Sequence, residues 1–174
     1  MITNFKQFNE NLLVPRNLEG RKEKLKHLNI KLLSQEVFDG DLNIDESFMD
    51  IDPKIVKIKK VNGDVWLEGG QWKEIPLWLK DIEISGSFYC SKNKLTTLKN
   101  CPHKIGENFS CAENKLKSLE GCPRNICENF SCAFNHLTSL KGCPEYVGGN
   151  FYCTLNIIKL KLPDYVKLKG TFIN

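Results

Sequence analysis

The sequence predicts a repeat solenoid: one curved parallel β-sheet of about seven short strands, joined by mostly irregular return segments and covered at its amino-terminal end by a helical cap. Three observations carry that expectation. The stretch ENFSCAENKLKSLEGCPRNI (residues 107–126) is followed at once by CENFSCAFNHLTSLKGCPEYV (127–147), nearly the same sequence again. Phe88, Phe109, Phe130 and Phe151 recur every 21 residues, and Cys90, Cys111, Cys132 and Cys153, then Asn93, Asn114, Asn135 and Asn156, keep the same step. A fixed period in this range marks stacked structural units, each of which buries its apolar face only against its neighbours.

The strands come next. An apolar residue, three spacers and two apolar residues separated by one define segments starting at Phe38, Val61, Ile84, Ile105, Ile126, Val147 and Leu168. Within each, the Phe-x-Cys alternation has the period of two that a strand requires. Stacked coils then pair their strands about 4.8 Å apart, so that each buried residue rests on its own copy. The Asn three residues beyond the Cys is placed to bond backbone where the chain leaves the strand, and the Leu-x-x-Leu and Pro that follow turn it back. The solenoid thus covers residues 38–174, and residues 1–37 form a cap. In that cap Ile2, Phe5, Phe8 and Leu12 recur at helical spacing, whereas KLKHLNIKLL (24–33) fits helix or strand by period alone.

Composition bounds the function. A chain of 174 residues with 41% hydrophobic and 26% charged residues is long enough to bury a core of its own. The opening residues lack a basic region leading into an apolar run, and no stretch approaches the roughly 20 apolar residues of a membrane span, so a cytoplasmic protein is expected. The eight cysteines pose the sharpest question. Zinc would need four converging ligands, often from Cys-x-x-Cys pairs that are absent here. Ladder cysteines point in parallel, which also opposes disulfide geometry, so they are expected reduced, metal-free and apolar in role. Cys127 stands apart, replacing the glycine found at Gly106 and Gly148. His27, His103 and His136 belong to no triad, metal helix or phosphate-loop signature. A non-catalytic protein without cofactor is expected.

The unit Phe-x-Cys-x-x-Asn-x-Leu-x-x-Leu-x-x-Cys-Pro resembles a leucine-rich repeat, most closely the short bacterial kind found in secreted effectors, in which a Leu-Pro pair closes each unit. Phe109 and Cys111 match the family's strand leucines, Asn114 its asparagine, Leu116 and Leu119 its next leucines, and Pro123 its proline. Cys in place of the aliphatic residue is a departure, and the ligase domain of some effectors has no counterpart. The resemblance implies protein binding on the sheet. The opening NFKQFNENL is similar to the first residues of some large tailed-phage proteins, which implies a host or defence factor as partner and the host cytoplasm as location.

Residues that the repeat does not explain supply the candidate site. Asp41, Asp64, Trp66, Glu68, Tyr89, Ser110, Ser131 and Tyr152 are read as the exposed, protein-binding sheet face, where Trp and Tyr contribute most of the binding energy. The alternative is that they simply cover neighbouring rungs. Lys94 with Lys115, and Lys117 with Lys159, form a lysine edge, read either as a nucleic-acid-binding stripe or as a solvated side. Acidic residues at the sheet argue against nucleic acid there. Phe172 and Ile173, in the last strand, are expected to support self-association into a homodimer.

Overall fold

A computed structural model describes residues 18–67 and 70–174. The predicted helix around Phe5 and Phe8 lies outside them. The chain forms a parallel β-solenoid whose main sheet has seven strands: β2 (Leu42–Asn43), β4 (Val65–Trp66), β6 (Phe88–Tyr89), β8 (Phe109–Ser110), β10 (Phe130–Ser131), β12 (Phe151–Tyr152) and β14 (Phe172–Ile173), stacked in that order. All pairings are parallel and in repeat register, with Phe109 between Phe88 and Phe130. Each expected strand is present.

A second file of strands runs beside the first. It comprises β1 (Val37–Asp39), β3 (Lys60–Asn62), β5 (Glu83–Ile84) and β7 (Lys104–Ile105), then β9 (Asn125–Ile126), β11 (Tyr146–Val147) and β13 (Lys167–Leu168), in separate sheets of four and three strands. Each coil is therefore strand, tight turn, strand and irregular return. The file breaks between β7 and β9, which do not pair. At Gly106 and Gly148 the chain approaches the preceding coil so closely that a Cβ would stand 2.0 Å from the Ser85 carbonyl oxygen and 1.9 Å from that of Cys127. Cys127 occupies the same place at the break, yet a Cβ there does not by itself end the ladder: Ser85 and Lys169, at the equivalent positions, donate their N–H groups to the carbonyls of Val61 and Val147.

Inside, identical residues stack. The rings of Phe88, Phe109, Phe130, Phe151 and Phe172 follow one another at centroid distances of 5.8, 5.6, 4.8 and 5.4 Å. Cys90, Cys111, Cys132 and Cys153 are fully buried beneath them, as are Leu95, Leu116 and Leu137. Burying each such side chain contributes about 1.5 to 3 kcal/mol. The asparagine ladder satisfies the backbone where the coil bends. Asn135 Nδ2 donates to the carbonyls of Cys132 and of Cys111 in the preceding coil, while its Oδ1 accepts the Leu116 N–H at 3.0 Å. Asn114 repeats all three contacts. The residue before each asparagine turns through the left-handed region, at φ 57° for Lys92, 53° for Glu113, 55° for Phe134 and 56° for Leu155.

The amino-terminal end is closed by α1 (Leu18–Leu33). KLKHLNIKLL is therefore helical. Leu33 is fully buried, and its carbonyl accepts the N–H groups of Lys57 (2.8 Å) and Ile58 (3.2 Å). Asn29, also buried, donates from Nδ2 to Ser47 Oγ at 2.7 Å, fastening the helix to the short 3-10 turn Glu46–Phe48. Charge supports the same junction, because residues 36–53 hold seven acidic residues and no Lys or Arg, whereas α1 carries an excess of basic residues.

Candidate recognition face

Every second strand residue of the main sheet points away from the core, and register sets these residues in one row: Asn43, Trp66, Tyr89, Ser110, Ser131, Tyr152 and Ile173. Asn43 is exposed and the others are half-buried. Trp66 and Tyr89 stack on adjacent rungs, with centroids 5.7 Å apart and planes inclined by 16°. Offset parallel rings of this kind gain about 0.5 to 1.5 kcal/mol beyond their buried area. Next to the pair the face becomes small and polar, with Ser91 Oγ and Ser110 Oγ 2.7 Å apart. Further along, Asn150 Nδ2 donates to the Tyr152 hydroxyl at 3.0 Å. The aromatic pair is thus a flat apolar platform bordered by hydroxyls.

Asp41 and Asp64 have other work. Asp41 Oδ1 accepts the Asp64 N–H at 2.9 Å, and Asp64 Oδ1 accepts the Ser87 N–H at 2.7 Å. The same step continues through Ser87 Oγ to Asn108, Asn108 Oδ1 to Asn129, Asn129 Oδ1 to Asn150 and Asn150 Oδ1 to Thr171. One polar side chain in each turn between the two strand files therefore binds the backbone of the next coil. Sequence reading had assigned these positions to the outward face. What it lacked was the direction of the side chain, which runs along the solenoid axis. Glu68 lies outside the described residues. Phe172 and Ile173 form β14, at the end of the main sheet.

All eight cysteines are free; six are buried, Cys122 is half-buried and Cys127 is exposed. Burial pushes the thiols of Cys101, Cys111, Cys122 and Cys132 well above the usual value, with repulsion from neighbouring thiols adding to it at Cys101, Cys122 and Cys132. Burial also raises Cys153, to about 11. Among the described residues no group of three His, Cys, Asp or Glu side chains is placed to hold a metal ion. No described helix is long and apolar enough to cross a membrane.

On the lysine edge Lys94 and Lys115 are exposed in one column, which continues through His136 to Ile157. Other surface lysines alternate with carboxylates. Glu83 lies 3.3 Å from Lys60 and 3.6 Å from Lys104, and its hydrogen bond and attraction to Lys60, with a smaller contribution from Lys104, lower its pKa. Lys141 pairs with Glu120 at 3.0 Å. The structure adds a group that sequence reading passed over: Phe134 and Leu155 are 52% and 66% exposed, at the turn positions held by Lys92 and Glu113 in earlier coils. That departure from the repeat was the available signal. No protein-family model matches the chain, and no curated protein or solved structure matches it.

Proposed function

We propose that the chain is a non-catalytic recognition module that binds a protein partner through the outward row of its main sheet, centred on Trp66 and Tyr89. The observation that carries this reading is the stacked, half-buried aromatic pair on a face whose other rungs are asparagine, serine, tyrosine and, in the last strand, isoleucine. Such an arrangement combines rigid aromatic area with hydroxyl and amide groups at its border, the chemistry of a protein-binding hot spot. The parallel files behind it hold the face rigid, so little ordering entropy opposes binding.

The test compares affinity capture from native cells by the unaltered chain and by a Trp66→Ala, Tyr89→Ala double variant, alongside thermal melting of both. A specific protein retained by the first and lost by the second, with stability changed by only about 1 to 2 kcal/mol, is expected. Equal capture by both, or retention of nucleic acid that disappears steeply with salt, would remove the sheet aromatics from the mechanism.

A further inference from the structure

The corner where each coil leaves the main sheet carries a second surface. In each of four coils two outward residues flank the ladder asparagine, and the repeat sets them in two columns along the solenoid. One column runs through Lys92, Glu113, Phe134 and Leu155. The other runs through Lys94, Lys115, His136 and Ile157, and every residue of both is exposed. Exposure belongs to the column, because Phe134 is 52% exposed with a bonded coil on each side. Its N–H reaches the Thr154 carbonyl at 3.0 Å, and its carbonyl accepts the Asn114 N–H at 3.2 Å. Leu155 and Ile157, 66% and 60% exposed, take the same two outward positions one coil on. The first column also holds left-handed backbone, φ 55° at Phe134 and 56° at Leu155, which a bulky side chain adopts at a cost that glycine or asparagine escapes. Neither the core nor the backbone calls for a ring or a leucine there.

Both columns change character at the same coil, from lysines and one glutamate to Phe134, Leu155 and Ile157 beside His136. Charge selects the occupant. Elsewhere Lys60, Lys104, Arg124 and Lys141 each lie 3.0 to 3.6 Å from a carboxylate oxygen. Among the described residues Lys92, Lys94 and Lys115 are in no such pair, and neither is Lys117, exposed in the next outward column. We infer that this corner takes an acidic segment of a partner protein lying along the solenoid axis, with apolar side chains on Phe134, Leu155 and Ile157 and carboxylates against Lys94, Lys115 and Lys117. Covering the apolar residues supplies affinity, and the unpaired lysines supply selection and direction. Glu113 favours a protein segment over an anionic lipid surface. It stands in line between Lys92 and Phe134 and would be pressed into the headgroups, whereas a peptide can set a hydroxyl opposite it. Leu155 and Ile157 offer nucleic acid neither charge nor a stacking plane. Four rungs about 4.8 Å apart span about 14 Å, the reach of about four extended residues. The surface lies on columns other than that of Trp66 and Tyr89 and does not rest on their role.

The test uses the whole 174-residue chain, isotope-labelled, with two synthetic peptides sharing a Leu-Phe-Leu centre. One carries a serine and two glutamates on each flank, so that either chain direction fits; the other has lysines in place of the glutamates. The glutamate peptide should shift the amides of Lys115, Phe134, Leu155 and Ile157, bind more weakly as salt rises, and bind at least about tenfold more tightly than the lysine peptide. Replacing Lys94→Glu together with Lys115→Glu should abolish or invert that preference. Phe134→Asn with Leu155→Asn suits the left-handed backbone, so it should cost at least about tenfold in affinity while thermal melting stays level or rises. Equal binding of the two peptides, no shift at all, or shifts confined to Trp66 and Tyr89 would overturn the inference. An asparagine variant that melts earlier and binds equally would do the same, since the ring and the leucine would then serve the fold. So would sedimentation with phosphatidylserine-containing vesicles, or retention of a single-stranded oligonucleotide, that the asparagine variant loses while the glutamate peptide fails to bind.

Discussion

The two files of strands run side by side through the same coils, yet one is continuous over seven strands and the other breaks into four and three. The difference lies in what holds each rung. In the main file, stacked rings and thiols fill the core, with aliphatic residues (Leu42, Val65, Ile44 and Leu67) taking their places in the first two coils. Small changes of chemistry are absorbed there: Val65 stands in the phenylalanine column without interrupting the sheet. In the second file the turn after each strand brings backbone close to backbone, and at Gly106 and Gly148 the clearance admits no Cβ. Where Ser85 and Lys169 hold the same position the backbone keeps its bond to the preceding coil all the same, whereas at Cys127 the pairing is lost. A core file is thus held by filled volume, whereas the turn file depends on how closely backbone meets backbone in each coil.

Alkali should break the contrast most severely, because it ionises thiols in the core that the main file and the return segments share. The buried thiols of Cys101, Cys111, Cys122 and Cys132 have folded pKa values raised well above their unfolded ones. Their contribution to stability is therefore whole below the usual thiol pKa and is lost as pH rises above it. Each loses about 1.4 kcal/mol per pH unit in that range, so denaturant midpoints should fall steeply above about pH 9. A flat profile between about pH 8 and 10 would show that these thiols ionise in the fold.

Truncating one ring is the next largest perturbation. Phe109→Ala should cost about 3 to 5 kcal/mol, read from urea unfolding, because Phe109 is 1% exposed and is stacked on both sides. A loss below about 1 kcal/mol would mean that neighbouring coils collapse into the space, making the core file more tolerant still. The smallest effect sharpens the other half of the comparison. Because Ser85 and Lys169 keep their backbone bonds with a Cβ at the equivalent position, Cys127→Gly should leave hydrogen exchange at the amide of residue 127 unchanged. Net stability should fall by about 0.5 to 1 kcal/mol, the entropy cost of glycine. Slower exchange would show that the Cβ is what separates the sheets.

Much of the architecture was legible because its period is long and its alternation strong. Phe109, Cys111 and Asn114 recur so faithfully that strand, core and corner follow from spacing alone. The second file was not legible as strand. Ile105 and Ile126 were visible as apolar positions, but each stands alone, with Glu107 and Glu128 two residues on, so no alternation registers there. KLKHLNIKLL fitted either period, and burial of Asn29 and Leu33 at one end of the core resolves it as helix. At the candidate face, Trp66 and Tyr89 were legible as residues foreign to the repeat. The roles of Asp41 and Asp64 were not, because residue type tells that a side chain can accept a hydrogen bond and not which backbone it reaches.

The polar ladder from Asp41 to Thr171 gives the molecule a mechanical grain. Each coil is tied to the next by a side chain from one and an N–H from the other, so load applied along the axis passes through every junction in series. Nothing bridges from one coil to the next but one in the ladder itself, as Asn129, bonded to Asn108 and Asn150, illustrates. Pulled at both ends, such an array yields at its weakest junction and not all at once. α1 latches the amino-terminal end through Asn29 and Leu33, so yielding should begin elsewhere in the array. Each coil of 21 or 23 residues then releases about 70 to 80 Å of extended chain, which makes the repeat a spring with nearly even extensions.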